Sequence, residues 1–425
     1  MHIKAIQKIE SKIKGSLLNC HIKDGRPQYE SLAPHVESLE KEILKHKHKW
    51  MDLFDVFFIF YDFVYAAIEN KTANGKKLEG NLWDILGEEE GQKLTESIKN
   101  YIISIPRTYD IYIPFPNISE SLPKSINLGN DISLIVFGDK EGIPGGYQKG
   151  FRGIFSEQLE LNKLYYKQRL SGYCGRQLEN ISLKKAINDF KIFLHQGIYT
   201  GLFELSPINK ARIGLQGMMA HEQVPRVSVT SVDIASDSAK LSNAELPLDF
   251  RRLLDNISFD FGNVLLARAR EIGQFEIAIA TFLKQAIQLI ECDEEESKRV
   301  KSAIQWCLDS YVVENKTLAF LQVCIGLEAL LGDDSSNDAL IKTLADRCAY
   351  LISPDIKGRK KIKKDFEDLY NVRSKLVHGN AIELDSSQKR YLNWGRMMLE
   401  FAIAKEIEHL KLDNKQGSEQ TVFES

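Results

Sequence analysis

The chain has 425 residues, 43% of them hydrophobic, and a formal net charge of −3 at pH 7. That is enough for two or three domains with cores of their own, in a composition ordinary for a soluble protein. Without a global basic field, any contact with nucleic acid has to come from a local patch.

The six cysteines, Cys20, Cys174, Cys292, Cys307, Cys324 and Cys348, form no C-x-x-C pair and no zinc-ligand spacing. They read as buried thiols in a reducing compartment. Met1 to Lys14 is charged and mixed, so no signal peptide is expected and a cytoplasmic location follows. Helical patterns run from about Val36 to Asn70 and from Gly91 to Ser104. Met51 to Asn70 looks membrane-like, with Phe54, Phe57, Phe58, Phe60 and Phe63, but it also carries Asp52, Asp55, Asp62 and Glu69. Carboxylates at that density are costly in hydrocarbon, so a core helix is expected and no membrane span.

Tyr109 to Phe115 alternates and is rich in β-formers, and Ile132 to Phe137 is a nearly continuous apolar run; both read as strands. Gly138 to Gly153 is a glycine-rich loop without the G-x-x-x-x-G-K-[ST] pattern of a phosphate cradle. Leu183 to Gln196 reads as a helix, Pro225 to Ile234 as a strand and Ser236 to Glu245 as a connector. His46 and His48 suggest a solvated helical segment more than a metal site. His195 and His221 stand without a visible acid or nucleophile partner.

From about Phe261 the strand signals stop. Helical segments follow over Asn263 to Glu291, Glu295 to Val313, Lys316 to Leu331, Asp338 to Ile352, Arg359 to His378 and Ser387 to Leu410. Their connections are short, as in an antiparallel bundle. The expected architecture is therefore an α+β N-terminal region over residues 1–262 and an all-α helical bundle over 263–411. A disordered tail is expected over 412–425.

Lys316 to Leu331 is apolar nearly all round, as a central bundle helix would be, and Glu328 is its one carboxylate. A buried carboxylate needs a cation, and Arg347 and Arg373 are the candidates. In the helix ending at His378, Ile362, Phe366, Leu369, Val372 and Leu376 form the core stripe. Arg373 sits at the edge of that stripe, and Gly379 is a natural C-cap that leaves His378 in the last turn. Five residues apart on a regular helix, Arg373 and His378 would project roughly 140° from each other. They converge on one ligand only if the helix end loosens or a second copy contributes. The spacing alone is not distinctive, since a chain of this composition contains about one such pair by chance. The setting, a helix end beside an acid-bearing apolar helix, is what singles the pair out.

The segments GLEALLG, LADRCAYLI and LYNVRSKLVHGN together resemble the HEPN superfamily, specifically its Apea-like branch, over roughly Asn263 to Leu410. The resemblance implies a small helical bundle that dimerises, and a metal-independent endoribonuclease with no cofactor. Arg373, Ser374 and His378 match the signature positions, with Ser374 where Asn is frequent. Glu328 matches the acid of the central helix, and Tyr370 and Asn380 flank the motif as supporting positions. The implied chemistry is attack of an RNA 2′-OH on the adjacent phosphate, with His378 moving protons and Arg373 stabilising phosphoryl charge. The resemblance also implies a role in phage defence or toxin-like growth arrest. The first 262 residues would then sense a phage trigger or a regulatory partner.

Lys357, Arg359, Lys360, Lys361, Lys363 and Lys364 put six cations in eight positions, a candidate track for an RNA backbone, tRNA included, or simply a solvated helix face. The bland readings also stand: a helix-cap histidine for His378, and for Arg373 a salt bridge to Glu328 that holds the bundle together. The corresponding alternatives are a non-catalytic HEPN module that binds RNA or a nucleotide or serves dimerisation, and a nuclease that fires only with a partner.

Overall fold

The computed structural model describes residues 1–72, 78–115, 125–129, 131–144, 159–175, 177–205, 228–234, 240–332, 340–379, 382–410 and 412. Five helices and a small sheet build the N-terminal end: α1 (Ile3–Leu18), β1 (His21–Lys23), β2 (Arg26–Pro27), α2 (Tyr29–Lys47), α3 (Leu53–Thr72), β3 (Gly80–Asn81), α4 (Leu82–Leu86) and α5 (Glu88–Ser104). The charged segment Met1 to Lys14 thus lies mostly within a helix. Ile9, Ile13 and Leu17, four residues apart, put one apolar face of α1 fully into a core.

The expected run from Val36 to Asn70 is two helices, not one. Asp52 and Asp55 cap each other's backbone: Asp55 N donates to Asp52 Oδ1 and Asp52 N to Asp55 Oδ2, both at 3.0 Å. That reciprocal pattern is a helix start, and it breaks the chain between α2 and α3. The Phe-rich α3 buries Val56, Phe60, Val64 and Ile68 in the same core. No described helix is long and apolar enough to cross a membrane.

A six-stranded antiparallel sheet follows, in the order β10-β9-β4-β7-β6-β5. Its strands are β4 (Arg107–Phe115), β5 (Ser125–Gly129), β6 (Ile132–Val136), β7 (Leu164–Gly172), β9 (Ser228–Asp233) and β10 (Lys240–Glu245). The expected connector over Ser236 to Glu245 therefore contains an edge strand, paired to β9 from Glu245↔Ser228 to Lys240↔Asp233. Its polar composition is usual for an edge, and hides it from a hydrophobicity pattern. β7 also escapes such a pattern, because Lys167 and Arg169 interrupt it. Those two cations face Asp110 on β4, at 2.8 Å and 2.7 Å.

Tyr109, Ile111, Ile113 and Phe115 turn to one sheet face, as period-two alternation requires. That face is covered by α6 (Ile181–Tyr199), whose Phe190 ring meets Phe115 at 5.3 Å and whose Phe193 ring meets Tyr166 at 5.1 Å. Asn180 caps α6, accepting from Ser182 N and Leu183 N, and its amide donates to both Asp55 oxygens at 2.9 Å. Burial pushes the Asp55 carboxyl up to about 6. A short pair of strands, β8 (Phe203–Leu205) and β11 (Ile257–Phe259), closes this part with α7 (Leu248–Asp255).

The helical region comprises α8 (Val264–Glu271), α9 (Phe275–Glu291), α10 (Glu295–Val312), α11 (Lys316–Leu331), α12 (Leu340–Ile352), α13 (Ile356–Val377) and α14 (Lys389–His409). Gly273, at φ +70°, divides the expected helix 263–291 into α8 and α9. Position 262 marks a change of secondary structure, but the hydrophobic core runs across it. Ile111 of the sheet, Phe193 of α6, Ile304 of α10, Phe320 of α11 and Leu399 of α14 belong to one buried cluster. Of the expected tail only Leu412 is among the described residues.

Two glycines set the helix spacing around the site. A Cβ on Gly395 of α14 would stand 2.9 Å from both Leu369 of α13 and Val323 of α11, and one on Gly326 of α11 would stand 2.7 Å from Leu399. α11, α13 and α14 therefore approach to backbone distance.

Candidate functional site

The expected residues gather along α13, and the neighbouring α11 positions half of them. Phe366, Leu369 and Val372 are buried and dock α13 on the bundle. Tyr370 is buried with them, its ring stacked on Phe366 at 4.6 Å and its hydroxyl donating to the Cys324 carbonyl of α11 at 3.4 Å. Burial first, and the charge of Glu328 second, hold the Tyr370 phenol well above its usual range. It is a positioning group, not a proton donor near neutral pH.

Arg373 turns toward α11. Its Nη2 lies 3.2 Å from Glu328 Oε1 and 3.5 Å from Oε2. Each of the two side chains keeps 30% of its surface exposed. This corrects the expectation that Glu328 is buried: α11 is apolar all round, yet its acid-bearing face reaches solvent. Arg347, the other cation considered, donates Nη1 to the Leu331 carbonyl at 2.7 Å, at the C-terminal end of α11.

His378 is the C-cap of α13 and is exposed; its backbone N donates to the Ser374 carbonyl at 3.0 Å. Gly379, at φ +73°, turns the chain out of the helix. Ser374 is half-buried. Asn380 lies outside the described residues. The structure thus brings Glu328, Tyr370 and Arg373 together and sets His378 apart. Arg373 occupies the side of α13 that faces the bundle, His378 the side that faces water, and the regular helix between them keeps the roughly 140° separation.

The cationic run divides in the same way. Arg359 is held against the protein surface over the exposed Tyr350 ring at 4.3 Å, donating to the carbonyls of Ser353 and Pro354 at 2.9 and 3.1 Å. Lys363 pairs with Asp346 of α12 at 2.5 Å. Lys357, Lys360, Lys361 and Lys364 are exposed. At 100° per residue they fall within roughly 100° of one another, and so do the exposed Lys375 and His378. One outer face of α13 therefore carries five lysines and ends on His378, a continuation that the first-turn cluster alone did not reveal.

Of the other histidines considered, His46 and His48 are exposed in and just after the last turn of α2. His221 lies outside the described residues. His195 is buried and lines a cavity of about 420 Å³ with Tyr199, Tyr311 and Glu400. Tyr311 donates to Glu400 at 2.5 Å, and burial lowers the His195 imidazole to about 4, so it is neutral. More than two hundred positions separate His195 from Glu400, so only the packing of α6 on the helical region places both on one cavity.

Among the described residues no cluster of three or more His, Cys, Asp or Glu side chains is arranged to hold a metal ion. Comparison of the chain with protein-family models, with curated proteins and with solved structures returned no match.

Proposed function

We propose that the helical region is a HEPN-type bundle and that the chain is a metal-independent endoribonuclease acting as a homodimer in the cytoplasm. The observation that carries this reading is the outer face of α13, where Lys357, Lys360, Lys361, Lys364 and Lys375 lead to the exposed His378. Cations on one helix face track a phosphate backbone, and an imidazole at the end of the track meets RNA where a proton has to move. His378 removes the 2′-OH proton, the 2′ oxygen bonds to the adjacent phosphorus, and the 5′ oxygen leaves and is protonated. The products are a 2′,3′-cyclic phosphate and a 5′-OH. Arg373 stabilises charge on the phosphoryl oxygens, and Ser374 orients one of them.

Within one chain Arg373 and His378 face apart, so the reading needs a second copy whose α13 end lies against the first. α11 offers a surface for it: Leu318 and Ile325 are 48% and 37% exposed on a helix with no polar face of its own. Growth arrest by RNA cleavage, in phage defence or a toxin-like system, is the corresponding role. The N-terminal region then restrains or triggers the nuclease.

The alternative is a non-catalytic bundle that binds RNA or serves dimerisation. It is favoured by Arg373 already being paired with Glu328. The deciding experiment incubates wild type and the Arg373→Ala/His378→Ala double variant with total RNA and tRNA in EDTA, with end-group analysis. Cyclic phosphate ends from wild type alone support the nuclease. Binding without cleavage by either protein supports the alternative.

A further inference from the structure

The first half of α6 borders two cavities. One, of about 380 Å³, lies where α6 meets α7, α10 and α11, and its wall is mainly apolar: Leu178, Ile187, Pro247, Phe250, Val312 and Val313. The other, of about 420 Å³, opens between α6 and α10 and is charged, with Lys184, Lys185 and Lys301 beside Glu179 and Asp189. Glu179 and Lys184 line both, so the two chambers meet there and form one groove. A mainly apolar chamber with a few polar groups at one end, set between packed layers, is the usual form of a small-molecule site.

The groups that line the groove are within a ligand's reach. Lys184 is exposed and makes no ion pair or hydrogen bond among the described residues. Lys185 holds Asp189 at 2.6 Å with 52% of its own side chain still exposed. Lys301 is half-buried, and its Nζ donates to the Ile290 and Cys292 carbonyls at 2.9 and 2.7 Å, which leaves one of its three N–H groups. In the apolar chamber Leu178, Ile187 and Val313 are half-buried and leave apolar surface in water around the buried Phe250 and Val312. Lys191 lines that chamber too, but Asp309 pairs with it at 2.6 Å.

Charge selects the head group. The polar chamber sets three lysines against two carboxylates, an excess of one positive charge. The exposed Asp293 acts on Lys301 from outside the wall. A monoanion balances the excess. A dianion would leave negative charge beside Asp189 and Glu179, and an ammonium would add to the lysines. We propose that the α6–α10 groove binds a small amphiphilic carboxylate, its hydrocarbon part in the apolar chamber and its head among Lys184, Lys185 and Lys301. The site is separate from α13 and does not depend on the nuclease reading.

The test is calorimetric titration of the full chain with octanoate, butyrate, octylamine and octyl phosphate. Octanoate is expected to bind best, at one site. Butyrate, four methylenes shorter, should bind at least about 100-fold more weakly, since each methylene carries a factor of about four. Lys184→Gln should weaken octanoate by about three- to fivefold. Lys184→Glu turns the excess into one negative charge and should make octylamine the preferred ligand. Val313→Trp fills the apolar chamber from a half-buried position and should remove octanoate binding with circular dichroism unchanged. The Lys184 variants, at an exposed position, decide the question even where Val313→Trp fails to fold. Butyrate bound as well as octanoate would mean an anion on surface lysines only, and overturns the groove. So does octylamine or octyl phosphate held by wild type as tightly as octanoate, or an unchanged ligand preference in Lys184→Glu.

Discussion

Arg373 and Glu328 meet across the α11–α13 seam at 3.2 Å, and both remain 30% exposed. A pair in that setting is screened by water and holds its partners loosely. Arg373 is therefore anchored at one end of its reach and free to redirect its fork toward a phosphate. A double-mutant cycle of Glu328→Gln and Arg373→Ala, read by chemical denaturation, should give a coupling below about 1 kcal/mol. Cleavage by Arg373→Ala should fall by about 100-fold or more. A coupling of several kcal/mol with unchanged RNA chemistry would make the pair a bundle brace and nothing else.

The lysine face of α13 makes a prediction about salt. Each phosphate contact on single-stranded RNA contributes about −0.7 to the slope of log K against log salt. Lys357→Ala/Lys364→Ala should flatten that slope by about 1.4. Lys363→Ala should leave it nearly unchanged, because Lys363 is held by Asp346 at 2.5 Å. Titrations of 2′-O-methyl RNA at several salt concentrations separate the two variants.

Leu318 and Ile325 leave an apolar stripe on α11 in water. If a second copy covers it, Leu318→Glu/Ile325→Glu yields a monomer by light scattering and abolishes cleavage, while single-chain circular dichroism stays unchanged. A wild type that is already monomeric at micromolar concentration removes the dimeric site.

Burial lowers His195 to about 4 in the folded chain against 6.5 for the free side chain. The unfolded chain binds the proton first, so this contribution to stability is present above pH 6.5 and is lost as pH falls toward 4. Asp55 acts in the opposite sense, since burial raises its carboxyl to about 6 and its contribution is lost as pH rises from the ordinary carboxylate range through that value. Because the two act in opposite senses, a variant is needed to see one of them. Between pH 7 and 5, wild type should lose about 2 kcal/mol relative to His195→Asn, measured by urea unfolding. Parallel curves would show that His195 is not buried in solution.

Gly395 lets α14 lie against α11 and α13. Gly395→Val should destabilise the chain by about 2 kcal/mol, because Leu369 and Val323 already stand 2.9 Å from where a Cβ would be. The same change should blunt cleavage more than it lowers secondary structure, since it pushes α13 away from Glu328.

Local signals settled most elements of the helical region, though not the break at Gly273 that divides α8 from α9. Lys316 to Leu331 is a helix with those ends, and the stripe Phe366, Leu369, Val372 fixes which side of α13 is buried. Apolar periodicity and capping residues act within a few neighbours, so they can be read along the chain. Glu328 as the partner of Arg373 was among two options for the same reason: helix faces are legible, helix neighbours are not. What the chain order could not convey was decided by packing. The polar edge strand β10, the core shared across position 262, and the cavity that His195 and Glu400 both line all depend on the packing of distant segments. Hydrophobic burial is non-directional and names no partner. Tertiary structure chose the partners, and with them which charged side chains pair inside the bundle and which remain on its surface.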